Sequence, residues 1–201
     1  MLYASWWYNT SVIQAIIFDC FGVLISDATQ ALLAEVRASD PKKAERLANI
    51  GATTDRGLQS IETYVTEAAA LLAISENDFR RRIAAGEVRN QNVLDFAASL
   101  RPRFKTALLS NVSRGGLDRR FAPGELDQYF DVVLASGDIG FAKPDPGAYT
   151  TAAERLGLRP DQCLMIDDRP EFCAGARAVD MQAVQFISLD QLQKELDPLL
   201  G

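Results

Sequence analysis

Short apolar runs alternate along this chain with longer stretches of helical periodicity. The runs fall at residues 12–18 (VIQAIIF), 104–109 (FKTALL), 130–135 (FDVVLA), 163–166 (CLMI) and 182–186 (QAVQF). Each is short and bounded by polar or turn-forming residues, which predicts strands rather than helices. Between and after them, apolar residues recur at helical spacing over about 90–99, 114–120, 146–156, 170–178 and 189–199. Strands that alternate with helices predict an α/β fold, a Rossmann-like parallel sheet with helices on both faces.

One stretch breaks the alternation. From 27 to 86 the pattern is helical throughout. Asp40-Pro41 has the form of an N-cap followed by proline at the first helical position. Ser60 opens an apolar-periodic run to Ile74, and Ser75 with Asp78 has the spacing of a capping box. The expected organisation is a core of residues 12–26 and 87–201, a small all-helical insertion of residues 27–86 after the first strand, and an N-terminal extension of residues 1–11. Gly22 and the segment 86–90 are the expected hinges.

Composition narrows the chemistry. The net charge of −6 from 21 basic and 27 acidic residues argues against nucleic acid as a partner, because that needs a basic face to release counterions. No apolar run is long enough for a membrane span. No Lys or Arg precedes Arg37, so the basic start of a secretory signal is missing. Trp6 and Trp7 lie in an apolar segment that could pack on the core or form a homodimer contact. The three cysteines, Cys20, Cys163 and Cys173, suit neither a disulfide framework nor a zinc site, and point to a reducing, cytoplasmic setting. Histidine is absent, which removes Ser-His-Asp and Cys-His catalysis and histidine-ligated metals. Catalysis then falls to carboxylates, hydroxyls, lysine, thiols or an oxygen-bound metal.

In open α/β sheets, ligands lie beyond the carboxyl ends of the strands. Those ends carry Asp19, Ser110-Asn111 and Asp167-Asp168, and a loop with Gly137 and Gly140 carries Lys143. Adjacent carboxylates repel unless a cation compensates, and a hard divalent ion with oxygen ligands is one such cation. Ser110 with neighbouring backbone amides could hold an oxyanion. Lys143 suits a phosphate as a point charge. Gly22 would permit a sharp turn or close approach of a ligand.

Taken in order, Ile16-Ile17-Phe18-Asp19-Cys20-Phe21-Gly22-Val23, Leu108-Leu109-Ser110-Asn111, Lys143-Pro144-Asp145-Pro146 with Tyr149 behind it, and Met165-Ile166-Asp167-Asp168-Arg169 resemble the four motifs of the haloacid dehalogenase-like superfamily. The resemblance covers about residues 13–190, and the insertion is similar to that family's small helical cap. It implies that Asp19 attacks a phosphoryl group and forms an aspartyl-phosphate. It implies Mg²⁺ held by Asp19, the backbone carbonyl of Phe21 and Asp168, with Asp167 as an auxiliary carboxylate behind them. Ser110 and Lys143 would hold the transferring oxygens, with Asn111 and Gly22 beside a small phosphorylated substrate. The cap would exclude water and select the leaving group.

Two positions depart from that pattern. Phosphatases of the family usually carry a second Asp two residues after the nucleophile, as acid and base; here it is Phe21. Phe172 stands where relatives with the Asp-Asp motif often have Asn. The readings that follow are a phosphatase with a good leaving group or a borrowed acid, a metal-independent 2-haloacid dehalogenase, and a catalytically silent binding protein.

Overall fold

A computed structural model describes residues 12–200 of the chain. The strands are β1 (Ala15–Phe18), β2 (Lys105–Ser110), β3 (Val132–Ala135), β4 (Cys163–Asp167) and β5 (Gln182–Gln185). All pair in parallel in the order β3-β2-β1-β4-β5. The first strand is therefore central, and the chain leaves it first toward one edge and later toward the other. That reversal opens a crevice at the carboxyl end of β1, where ligands of such sheets bind.

Alternation of side chains along β1 divides the core into two layers. Ile16 and Phe18 face one side, where they join Val93, Leu94 and Ala97 of α5 (Gln91–Leu100) and Leu192 and Leu196 of α9 (Leu189–Leu200). Ala15 and Ile17 face the other side, with Ala148, Tyr149 and Ala152 of α7 (Pro146–Arg155) and Ala176 of α8 (Pro170–Arg177). Both faces are covered, as the continuous apolar runs require.

The stretch after β1 folds into α1 (Ala28–Ser39), α2 (Pro41–Asp55), α3 (Ile61–Leu72) and α4 (Glu76–Gly86). Asp27, Asp40, Ser60 and Ser75 each cap the helix that follows with a side-chain oxygen, so four polar residues at the right spacing set four helix starts. The helices bury an apolar cluster of their own, with Leu32, Leu47, Val65 and Phe79 at its centre. The two segments joining this unit to the sheet run side by side. Ser26 N–H donates to Val88 O at 2.9 Å and Asn90 N–H to Leu24 O at 2.8 Å, while the Ser26 hydroxyl donates to Gly86 O at 2.6 Å.

The helix expected over 114–120 is not formed; the segment is a run of turns. Gly115 sits at φ 67°, a conformation that ends helices, and a side chain at Gly116 would overlap Val112 and Ser113. A short α6 (Ser136–Ile139) appears after β3 without a sequence signal. The readings of residues 1–11, including Trp6 and Trp7, lie outside the described residues. Among the described residues no helix is long and apolar enough to cross a membrane, and the three cysteines are buried free thiols.

Candidate active site

Register brings the polar strand ends together. Phe18 is level with Leu108 on one neighbour and Ile166 on the other, so Asp19, Ser110 and Asp167 emerge beside one another at the centre of the sheet. Asp19 N–H is fixed by Ile166 O at 2.9 Å. The Asp19 Oδ1 atom accepts from Cys20 N–H at 2.7 Å and is 2.8 Å from Lys143 Nζ. Lys143 Nζ also donates to Asp167 Oδ2 at 2.6 Å. Lys143 and Asp167 are fully buried at their side chains, so this is a charged triad withdrawn from water.

Burial alone would neutralise these groups. It drives Asp19 upward from the ordinary carboxylate range, with Lys143 pulling back and Asp167 pushing further; the net direction is up. Burial opposes the Lys143 charge, but Asp19 and Asp167 outweigh it and the ammonium is held above its usual value. The Phe172 ring lies 5.1 Å from Lys143 Nζ and adds a π-face to the cation. Phe172 is itself anchored, because Tyr149 donates its hydroxyl to the Phe172 carbonyl at 2.7 Å.

Asn111 and Gly22 both shape the surroundings of the cluster. Both polar ends of the Asn111 amide are spent on the Lys143 backbone, with Nδ2 donating to Lys143 O and Lys143 N–H donating to Oδ1, each at 2.8 Å. Asn111 thus positions the lysine. Gly22 has φ 93°, and a Cβ there would overlap the Asp168 carboxylate. Its missing side chain is the space that Asp168 occupies.

The donor set fits a hard divalent cation. Asp19, Asp167 and Asp168 bring carboxylate oxygens within 4.8 Å of one another. Asp168 Oδ1 is buried with no hydrogen-bond partner, as is the Ser110 hydroxyl. Orphaned buried polar atoms are uncommon in folded chains, and these two lie at strand ends flanking Asp19. Burial and the neighbouring Asp167 and Asp27 push Asp168 up to about 6, with Lys143 pulling back.

Above these residues, between the sheet and helices α1–α4, is a cavity of about 420 Å³. That volume suits a small molecule. Asp19, Phe21 and Phe172 line its floor; Asp27, Asp55 and Tyr64 line it from the helical side. Arg80 borders it, whereas Arg81 pairs with Asp78 and Arg82 with Glu35. Phe21 is covered by the Arg120 guanidinium at 4.8 Å, and Arg120 is paired with Glu87 through both nitrogens of its fork. Sequence reasoning did not single out Asp27, Asp55, Glu87 or Arg120. One signal was available for Asp55: it is an acid at the carboxyl end of a helical pattern, where the helix dipole opposes it.

Comparison with known proteins agrees with this geometry. The family model for haloacid dehalogenase-like hydrolases matches residues 13–180. A phosphatase of Mycobacterium tuberculosis is 48% identical over 58 residues, which are 29% of this chain and 27% of that one; the chain thus spans well under two thirds of that relative. A haloacid dehalogenase-family enzyme from Bacteroides thetaiotaomicron, solved with magnesium and inorganic phosphate, superposes with a TM-score of 0.70 at 19% identity, over 90% of this chain and 98% of that one. An L-2-haloacid dehalogenase from Xanthobacter autotrophicus superposes at 0.60 and 20% identity, over 92% and 82%. At such identities the two structures speak to fold.

Proposed function

The chain belongs to the haloacid dehalogenase-like hydrolases, and from that premise we propose that it is a Mg²⁺-dependent phosphatase for a small phosphorylated metabolite, working through an aspartyl-phosphate on Asp19. The observation that carries this reading is the pair of orphaned oxygens, Ser110 Oγ and Asp168 Oδ1, on either side of a carboxylate already fixed by Lys143.

Asp19, Asp168 and the Phe21 carbonyl would hold the ion, with Asp167 beside them. When bound, it would neutralise phosphoryl charge next to an anionic nucleophile. The remaining work belongs to the chain. Lys143 places a permanent cation beside Asp19, and Ser110 offers an O–H to a phosphoryl oxygen. The Cys20 N–H and Lys143 hold the Asp19 carboxylate in one orientation, so little reorganisation precedes attack on phosphorus. Phe21 and Phe172 keep the floor of the cavity dry, which strengthens each of these charges.

The test is phosphate release from acetyl phosphate and p-nitrophenyl phosphate, with Mg²⁺ and with EDTA. Release should require the metal, and Asp19→Asn should lower it by about 10⁴-fold or more. Turnover that survives in the variant would sink the nucleophile assignment. The absence of turnover in the wild type would favour a catalytically silent binding protein.

Phe21 favours one other reading, a 2-haloacid dehalogenase, whose halide leaves without a proton. The Asp167-Asp168 pair opposes it, since Lys143 offsets Asp167 but a metal-independent reaction supplies no ion for the unpartnered Asp168 Oδ1. Metal-independent chloride release from a 2-chloro acid would decide for it.

A further inference from the structure

A phosphatase of this design lacks a proton donor for its leaving group if Phe21 stands where the acid would be. Among the described residues, the groups lining the cavity that could carry a transferable proton are few, and their partners sort them. Asp27 is committed to the start of α1, where it accepts from Gln30 N–H at 2.9 Å and from Thr29 N–H. Glu87 is locked to Arg120. Tyr64 is pushed by burial up to about 12, too weak an acid to protonate at neutral pH. Arginines do not release protons.

Asp55 remains. It is the last residue of α2, with no basic residue in that turn, so the helix dipole opposes its carboxylate. No side-chain hydrogen bond is made to it among the described residues, although Asp40, Asp27 and Ser75 all serve as caps. Its backbone is tethered to the sheet instead: the Ser136 hydroxyl, just past β3, donates to Asp55 O. The same hydroxyl receives Val112 N–H at 2.9 Å, two residues beyond Ser110. Asp55 is thus held over the strand ends even though it belongs to the helical unit. A residue that breaks the local rules while being fixed in place is where function is expected.

Resting on the phosphatase reading, we propose that Asp55 is the general acid and base that position 21 no longer supplies. As Asp19 Oδ bonds to phosphorus, the P–O bond to the leaving group breaks and the Asp55 carboxyl gives its proton to the departing oxygen. Asp55 is then a carboxylate. It takes a proton from the water that attacks phosphorus, the bond between Asp19 and phosphorus breaks, and inorganic phosphate leaves with both aspartates restored. Burial, reinforced by Asp27 and opposed by Arg169 and Arg120, pushes the Asp55 carboxyl up to about 7. That is the range in which one group can serve both half-reactions near neutrality.

The experiment compares kcat/KM for a series of aryl phosphates, from p-nitrophenyl to phenyl phosphate, in wild type and Asp55→Asn. Protonation matters little for nitrophenolate and much for phenolate. The variant should therefore lose at least about tenfold more on phenyl than on p-nitrophenyl phosphate, within the 10²- to 10⁴-fold usual for a general acid. Its slope against leaving-group pKa should steepen. Measurable p-nitrophenyl phosphate turnover in the variant also shows that it is folded. Equal losses across the series would overturn the assignment. So would a wild type that already discriminates as steeply as the variant. Absence of turnover of every substrate by the wild type would instead remove the phosphatase reading beneath it.

Discussion

Lys143 is held with its ammonium between Asp19 Oδ1 and Asp167 Oδ2, at 2.8 and 2.6 Å, with none of its side chain exposed. A cation so placed is structural as well as chemical. Removing it leaves two buried carboxylates facing each other, and breaking a buried pair costs about 3–5 kcal/mol. Lys143→Met should show that loss in chemical denaturation. Gly22→Ala should act on Asp168: its methyl would claim the space of that carboxylate at a positive φ, so we expect loss of Mg²⁺-induced thermal stabilisation and a stability cost of about 1–3 kcal/mol. Asp55 carries the opposite sign. Its folded pKa, about 7, lies above the unfolded value of 3.8, so the folded state binds the extra proton between those values and stability falls as pH rises through them. Asp55→Asn should therefore be more stable than wild type at pH 8, by about 1–2 kcal/mol, and equal to it near pH 4. Denaturant midpoints at the two pH values check this. Chemical type at a strand end made Asp19, Ser110 and Asp168 legible as candidates, and chemical type in a glycine-bearing loop did the same for Lys143. The turn at Gly22 was legible, whereas the bond of Asn111 to the Lys143 backbone and the closeness of Gly22 to Asp168 were not, because both are non-local. Asp55 and Asp27 read as ordinary acids of solvated helices until the fold faced them toward one cavity.

At the scale of elements, capping residues carried most of the information. Asp40, Ser60 and Ser75 mark helix starts in the sequence and cap α2, α3 and α4 in the structure, since an N-cap depends only on local geometry. The failure at 114–120 has the converse cause. Leu117 and Phe121 have helical spacing and are buried, but Gly115 and Gly116 pay too much backbone entropy to propagate a turn, and burial is met without a helix. The first strand is shorter than the run of residues 12–18: it is formed from Ala15, although the Gln14 backbone already bonds to Gln162 and Lys105. The helical unit has its own test. Phe79 is fully buried at its centre and meets the Tyr64 ring edge-on at 5.6 Å. Phe79→Ala should cost about 3–5 kcal/mol. The loss should appear as faster hydrogen exchange confined to α1–α4, with the sheet unchanged.

At the scale of the whole molecule, the acidic surplus and the proposed anionic substrate are reconciled by layout. The chain carries −6 overall, yet Arg120 and Arg169 line the cavity and the buried Lys143 stands behind Asp19 at its floor. The net charge of a protein governs solubility and long-range encounter, while local groups govern what a pocket accepts. The doubly wound sheet follows from the alternation of short apolar runs and helices, and residues 13–180 carry the family's pattern. What the linear pattern could not convey is the enclosure between sheet and helices, which depends on how two separately cored layers meet.

The side-by-side passage of the chain into and out of the helical unit has a consequence for evolvability. Since Ser26 and Val88 are already hydrogen-bonded neighbours, the polypeptide between them is a detour that begins and ends at one place. A tight turn of about two to four residues could close it without lengthening the path of any sheet strand. Such a shortened protein should keep the fold of its sheet while the cavity above Asp19 becomes an open dish. Exchanging the segment between these two residues would replace Asp55 and the other residues that cover the cavity, while Asp19, Ser110, Lys143 and Asp168 lie outside it.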